Sequence, residues 1–237
     1  MKKILAALLL TLPTISVAVD LDGYYITAKG GVSKTSDTGE TTFVNQFGLS
    51  RTMQNEDLGT GSAFGFSVGK YLTDSFRLEL EAIKRTGYEY DARSSSAEFS
   101  NITYEANIQT EAVFVNGFYD FQPFTMSNTA ITPYLGGGVG ISRNKMGTAV
   151  NHTNGIPDPL TIDGNTTNQF AYKLSAGTLV SLTEQLSLDL NYQYVNLGAF
   201  EGGTEFLLRG VSGNIPRGFN GGDIKTQELM VGLQYKF

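Results

Sequence analysis

The 237 residues carry 17 Lys and Arg against 23 Asp and Glu, a formal net charge of −6, with neither cysteine nor tryptophan. An acidic balance sets nucleic acid aside as a partner. Without cysteine there is no disulfide staple and no thiol chemistry, so packing and hydrogen bonds must hold the fold.

The chain opens with "MKKILAALLLTLPTISVAVD", in which Lys2 and Lys3 precede an apolar run from Ile4 to Leu12 and small residues at Ser16 and Ala18. This is the pattern of a secretory signal peptide over 1–18, cut after Ala18. Its loss removes two lysines and moves the formal charge to −8. Beyond it no run of about 18 apolar residues occurs, which excludes a helical membrane span.

Alternation takes the place of such a run. Eight segments of strand period are predicted, at 22–33, 62–71, 75–86, 107–120, 131–142, 169–180, 186–197 and 225–237. Their lengths are close to the roughly 9 to 11 residues of a tilted strand crossing a bilayer. In the first, Tyr24, Ile26, Ala28 and Val32 share one face, and Tyr25, Thr27, Lys29 and Ser33 the other. "PYLGGGVGIS" sets Gly136, Gly138 and Gly140 against Leu135, Val139 and Ile141, small residues that make room inside a narrow barrel. The seventh alternates Leu186, Leu188, Leu190, Tyr192 and Tyr194 with Ser187, Asp189, Asn191 and Gln193. The eighth puts Leu229, Val231, Leu233, Tyr235 and Phe237 on one face.

A soluble sandwich also alternates, so the connections must decide. Short ones at 72–75, 121–130 and 181–185 interleave with long ones near 34–61, 87–106, 143–168 and 198–224 that are rich in Gly, Asn, Thr and Ser. Short turns on one side and long loops on the other predict an all-β, eight-stranded, antiparallel up-and-down transmembrane β-barrel over 19–237. A repeat supports hairpins: "LTDSFRLELE" at 72–81 matches "LTEQLSLDLN" at 182–191. In lipid an open sheet edge is costly, so the last strand must close onto the first, bringing Tyr24, Tyr235 and Phe237 together at one rim.

"GYYITAKGGVS", "AYKLSAG", "LTEQLSLDLNYQYVNLG" and the terminal "GLQYKF" resemble the small eight-stranded outer-membrane proteins: opacity proteins, related surface antigens and the transmembrane domain of the outer-membrane protein A family. The resemblance covers the mature chain. It implies residence in a Gram-negative-type outer membrane after export through the periplasm, with membrane lipid as surroundings. It also implies that Leu233, Tyr235 and Phe237 form the signal read by the barrel-assembly machinery. The peptidoglycan-binding domain of protein A relatives is missing, so that tethering role does not carry over.

By parity Lys29, Arg77, Arg85 and Lys173 face inward with Glu79, Glu81, Asp189 and Glu228. Eight strands leave a bore just wide enough for side chains, so this balanced set reads as a structural plug. Lys70 and Lys84 point outward and are expected to snorkel at the rims. The single histidine, His152, lies in a polar stretch with Asp158 and Asp163 nearby and reads as a solvated loop residue rather than a base. "GTGSAFG" and "GGGVG" lack the lysine and helix of a phosphate loop. Neither a cofactor nor a metal set is indicated, and no catalytic residue. The function that follows is a non-enzymatic surface protein, antigen-like or adhesin-like, whose loops meet a host or environmental ligand. The alternative is a narrow porin-like channel for small solutes, which needs a hydrated lumen.

Overall fold

The computed structural model describes residues 21–36, 40–44, 50–54, 58–94, 102–153 and 160–237. The expected signal peptide therefore lies outside the described residues.

The chain enters in β1 (Tyr24–Thr35), makes a small hairpin of β2 (Glu40–Val44) and β3 (Ser50–Gln54), and returns in β4 (Thr60–Tyr71). A tight turn leads to β5 (Phe76–Ser94), and β6 (Ile102–Asp120) runs back. The short β7 (Phe124–Met126) folds onto the start of β8 (Thr129–Met146), which is followed by β9 (Ala149–Thr153) and β10 (Thr161–Ile162). β11 (Asn165–Ser181) and β12 (Leu186–Glu201) form the next long hairpin. A small hairpin of β13 (Glu205–Leu208) and β14 (Val211–Asn214) precedes β15 (Arg217–Lys236).

All the pairings are antiparallel. β1, β4, β5, β6, β8, β11, β12 and β15 each bond to the next, and β15 bonds back to β1. The seam is continuous from Tyr25 opposite Lys236 to Thr35 opposite Thr226. At its base the Phe237 amide donates to the Tyr24 carbonyl at 3.0 Å. The ring thus satisfies the backbone groups that an open edge would leave unpaired in lipid.

The repeated turn has a repeated geometry. Thr73 Oγ1 accepts from the amides of Ser75 and Phe76, and Thr183 Oγ1 accepts from those of Gln185 and Leu186, at 3.0 to 3.3 Å. A threonine that satisfies two turn amides gives each tight connection the same shape. The third connection is itself a hairpin, because Ser127 and Asn128 both adopt positive φ and pair Phe124–Met126 with Thr129–Ile131.

Around the middle of the ring the exterior is apolar: Phe64, Phe66, Leu80, Val115, Leu135, Val139, Leu174, Leu190, Leu229 and Val231 are exposed. Aromatic side chains mark the turn end, among them Tyr119, Phe121, Phe124, Tyr235 and Phe237. Tyr235 and Phe237 meet edge to face at 5.2 Å. Lys70 lies at this rim, with Nζ 4.3 Å from the centre of the Tyr24 ring. Lys84 lies toward the opposite edge of the apolar belt and bonds Glu111 at 3.0 Å.

Inside, Gly136, Gly138 and Gly140 stand opposite Phe118, Asn116 and Phe114 on β6. A Cβ on any of the three would strike that partner's side chain, so the glycines are the space those side chains occupy.

The strands run further than the period predicts. β5 continues to Ser94, β6 starts at Ile102, β8 ends at Met146 and β15 starts at Arg217, so much of the segments expected as loops is sheet. Bulges adjust the extension, among them those between Arg85 and Tyr88 and between Asn196 and Ala199, with Gly87 at φ 89° and Gly198 at φ 69°. A left-handed backbone of this kind favours glycine. Each of these two shifts the alternation by one residue. Below the first, Arg77, Glu79, Glu81 and Arg85 point in and Leu78 and Leu80 point out; above it, Tyr88, Tyr90 and Ala92 point in and Glu89, Asp91 and Arg93 point out.

Candidate interaction surface and interior charge network

The interior is stacked in tiers. Nearest the turns, Arg77 donates from Nε to Asp120 at 3.0 and 3.2 Å and from Nη1 to the Tyr25 hydroxyl at 3.2 Å. Its guanidinium also faces the rings of Phe118 and Tyr134, at 4.2 and 4.7 Å. In the middle tier Lys29 meets Glu81 at 2.8 Å and Glu79 at 3.9 Å, and Lys173 bonds the other Glu81 oxygen. Asn116 bridges Glu79 and Glu81 through its amide at 3.2 and 2.8 Å. Above, Arg85 grips Glu228 with Nε at 2.5 Å and Nη2 at 3.2 Å, while Ser33, Thr226 and Gln193 donate to the same carboxylate.

All eight charges expected inside are buried. Their pairing differs from a simple balance of four bases and four acids. Asp120 is a fifth buried acid and is the near partner of Arg77, whereas Glu79 stands 4.0 Å from that guanidinium. Asp189 has no base in contact among the described residues; it accepts from the Tyr134 hydroxyl at 2.6 Å, and Asn191 donates to that hydroxyl at 2.7 Å. Parity could have found Asp120, since it shares a face with Asn116 and Phe118 on β6.

Above the charges lies an apolar core that sequence reasoning missed. Tyr88, Tyr90, Tyr104, Ile108, Met146, Val195, Leu197, Phe200, Phe219 and Ile224 are buried together. Tyr90 packs on Phe200 and Phe219 with centroids 5.7 and 5.8 Å apart, and Tyr104 meets Phe219 at 5.1 Å. Burial pushes the Tyr90 hydroxyl well above its usual range, as expected where water is scarce. The hint lay in "GYEYDAR", whose aromatic residues continue a strand period inside an expected loop.

This core carries an outer surface. On its flank Glu89, Asp91, Glu105, Asn107 and His152 line a polar concavity of about 440 Å³. His152 Nε2 lies 3.4 Å from Glu105, each side chain more than half exposed, and Asp158 lies outside the described residues. The β13–β14 hairpin turns through Arg209 and Gly210, both at positive φ, and exposes Leu207 and Val211. Phe206 at its base packs on the apolar core. Among the described residues no three His, Asp or Glu side chains cluster as a metal site. At the turn end Leu233, Tyr235 and Phe237 point outward and are exposed.

The profile of the outer membrane protein beta-barrel domain family matches residues 4–237. Outer membrane protein PagN of Salmonella typhimurium is 28% identical over 200 residues, covering 75% of each chain. A Rickettsia conorii protein provisionally named an adhesin is 26% identical over 229 residues, covering 94% of this chain and 85% of its own. The outer membrane protease OmpT of Escherichia coli shares the fold with a TM-score of 0.56 over 94% of this chain and 99% of that one. At 11% identity that likeness is one of fold alone. With its apolar belt, closed antiparallel ring and chain-long family match, this is an outer-membrane protein of a Gram-negative bacterium, and it belongs to the outer membrane protein beta-barrel domain family.

Proposed function

We propose that the chain is a non-enzymatic adhesin whose extracellular sheet and β13–β14 hairpin form the contact surface. One observation carries this reading: the strands continue past the apolar belt and enclose an apolar core of their own. A barrel that only had to span the bilayer would not need that core. Binding is weakened by the cost of ordering loops and side chains, and a surface held from behind by Tyr90, Phe200 and Phe219 is ordered beforehand. The exposed Leu207 and Val211, flanked by Arg209, supply apolar contact area beside a charge that can set orientation. The provisional name of the Rickettsia conorii relative points to the same role.

The non-enzymatic part rests on His152. A general base needs a fixed orientation and a proton within reach, and this imidazole is 54% exposed, with a Glu105 side chain that is itself mostly exposed 3.4 Å from its Nε2. A conducting role would require water to cross both the ion-pair tiers and the apolar core, and the packing there supports a plug instead.

The test is adherence. A non-adherent bacterial strain displaying the protein is expected to bind epithelial cells several-fold more than the empty strain. A Leu207→Ser/Val211→Ser variant, present at equal level and still migrating as a folded barrel on unheated gels, is expected to return to background. Background adherence by the wild type, or full adherence by the variant, would refute the assignment. Steady single-channel currents in planar bilayers would favour the channel.

A further inference from the structure

Four neighbouring strands make an uneven patch on the lipid-facing exterior. Across β4, β5, β6 and β8 the cross-strand register aligns Phe66, Ala82, Val113 and Ile141 in one row. Ala82 is the small member, so the row dips between Phe66 on one wall and Val113 and Ile141 on the other. The groove that results, with Phe64 also on its wall, is a shallow depression open along its length, with a volume of about 770 Å³. One step nearer the loop end, the next row holds Lys84, Glu111 and Arg143, and Lys145 stands beyond Arg143 on the same face of β8. All four are exposed, three of them cations, in a protein whose net charge is negative. The Lys84 to Glu111 pair neutralises one cation and leaves Arg143 and Lys145 in excess.

We propose that this groove is a binding site for an outer-leaflet lipid with a phosphorylated headgroup, an acyl chain lying over Ala82 and the phosphate meeting Arg143 and Lys145. Depth and charge together select this occupant. The apolar groove opens at the edge of the belt on the extracellular side, where the headgroups of the outer leaflet begin. The Arg143 guanidinium offers the planar fork that matches phosphate oxygens. A zwitterionic headgroup would leave the excess positive charge uncompensated.

The test uses the purified barrel, refolded in neutral detergent and freed of lipid. Bis-phosphorylated lipid A, its dephosphorylated form and phosphatidylcholine are supplied at equal concentration, and retained adducts are read by native mass spectrometry. The wild type is expected to retain the phosphorylated lipid in preference to both others. Arg143→Ser/Lys145→Ser should lower that preference by about 25-fold, each cation near a charged lipid surface contributing roughly fivefold. Ala82→Trp, which fills the groove floor, should lower retention of all three lipids, and gel migration confirms that both variants fold. Equal retention of the three lipids by the wild type, or a preference unchanged in the double variant, would overturn the proposal. So would retention unchanged by Ala82→Trp, or inorganic pyrophosphate competing as well as the whole lipid, since either would leave only a surface anion patch. A dimer that seals this face in detergent would give the groove to a second copy and overturn it as well.

Discussion

Replacing Arg85 with methionine keeps most of the side-chain volume and removes the charge that faces Glu228. In the wild type the two guanidinium bonds measure 2.5 and 3.2 Å, and neither side chain is exposed. The variant carboxylate would keep Ser33 and Thr226 as donors at 2.7 and 2.8 Å, together with Gln193, but it would lose its counter-ion. Breaking a buried pair from one side costs about 3 to 5 kcal/mol, because the surviving charge stays desolvated. The retained neutral donors place Arg85→Met toward the lower end of that range. Glu228→Gln strands Arg85 in the same way and should fall toward the upper end. The double variant carries neither charge, so its cost should fall short of the sum of the singles by roughly 0.5 to 3 kcal/mol. Urea unfolding in lipid vesicles, followed by the gel shift between folded and unfolded forms, measures all four corners of the cycle. Costs that add to within about 0.5 kcal/mol would show that the pair is not coupled and that the interior is wetter than its packing indicates.

Other consequences can be checked with the same preparation. Arg77→Met should couple strongly to Asp120→Asn and weakly to Glu79→Gln in double-mutant cycles, since the first carboxylate lies at 3.0 Å and the second at 4.0 Å. Leu190→Arg, in the middle of the apolar belt, should cost about 2 to 4 kcal/mol by urea titration in lipid, whereas Gln227→Arg near the outer edge should cost about 0 to 1. Gly138→Ala places a methyl group against Asn116 and should cost roughly 1 to 3 kcal/mol in the same titration, while Gly117→Ala, whose methyl group would meet Phe76 and Leu78 only at ordinary van der Waals distance, should be nearly neutral. Deleting Phe237 should lower outer-membrane levels in cells yet leave refolding of the purified protein into lipid close to normal; equal levels in cells would remove its role as an assembly signal.

The membrane-spanning part was legible because its alternation is strong and its turns are marked. Leu186, Leu188 and Leu190 face out and Asp189 and Asn191 face in, as the period requires. The partners of the interior charges were not legible. Parity says which side chains share a bore; it does not say that Asp120 would outcompete Glu79 for Arg77, or that Tyr134 would take Asp189. Those choices depend on register and on side-chain length across the bore. The apolar core beyond the charge tiers was hidden for a different reason. At Gly87 and Gly198 one extra residue exchanges the inner and outer faces, so a pattern read as greasy outside and wet inside becomes its opposite. A reader who holds parity fixed takes Tyr88 and Tyr90 for loop aromatics. The packed interior also removes an otherwise natural control: Asn191→Arg would have to displace Tyr134 and cannot be assumed mild.

The seam between β1 and β15 has a kinetic meaning. It joins Tyr25 to Lys236 and Thr35 to Thr226, near the two ends of the described residues, so it is among the most non-local pairings that 237 residues allow. Contacts that far apart in sequence are slow to find, because the chain between them must be restrained first. The other pairings in the ring join neighbours in chain order and can zip from their turns, as the two threonine turns encourage. The natural order is therefore hairpins first and seam last. Until the seam forms, two full strand edges face lipid or the periplasm. The period of greatest exposure to aggregation ends when the last ten residues find the first strand.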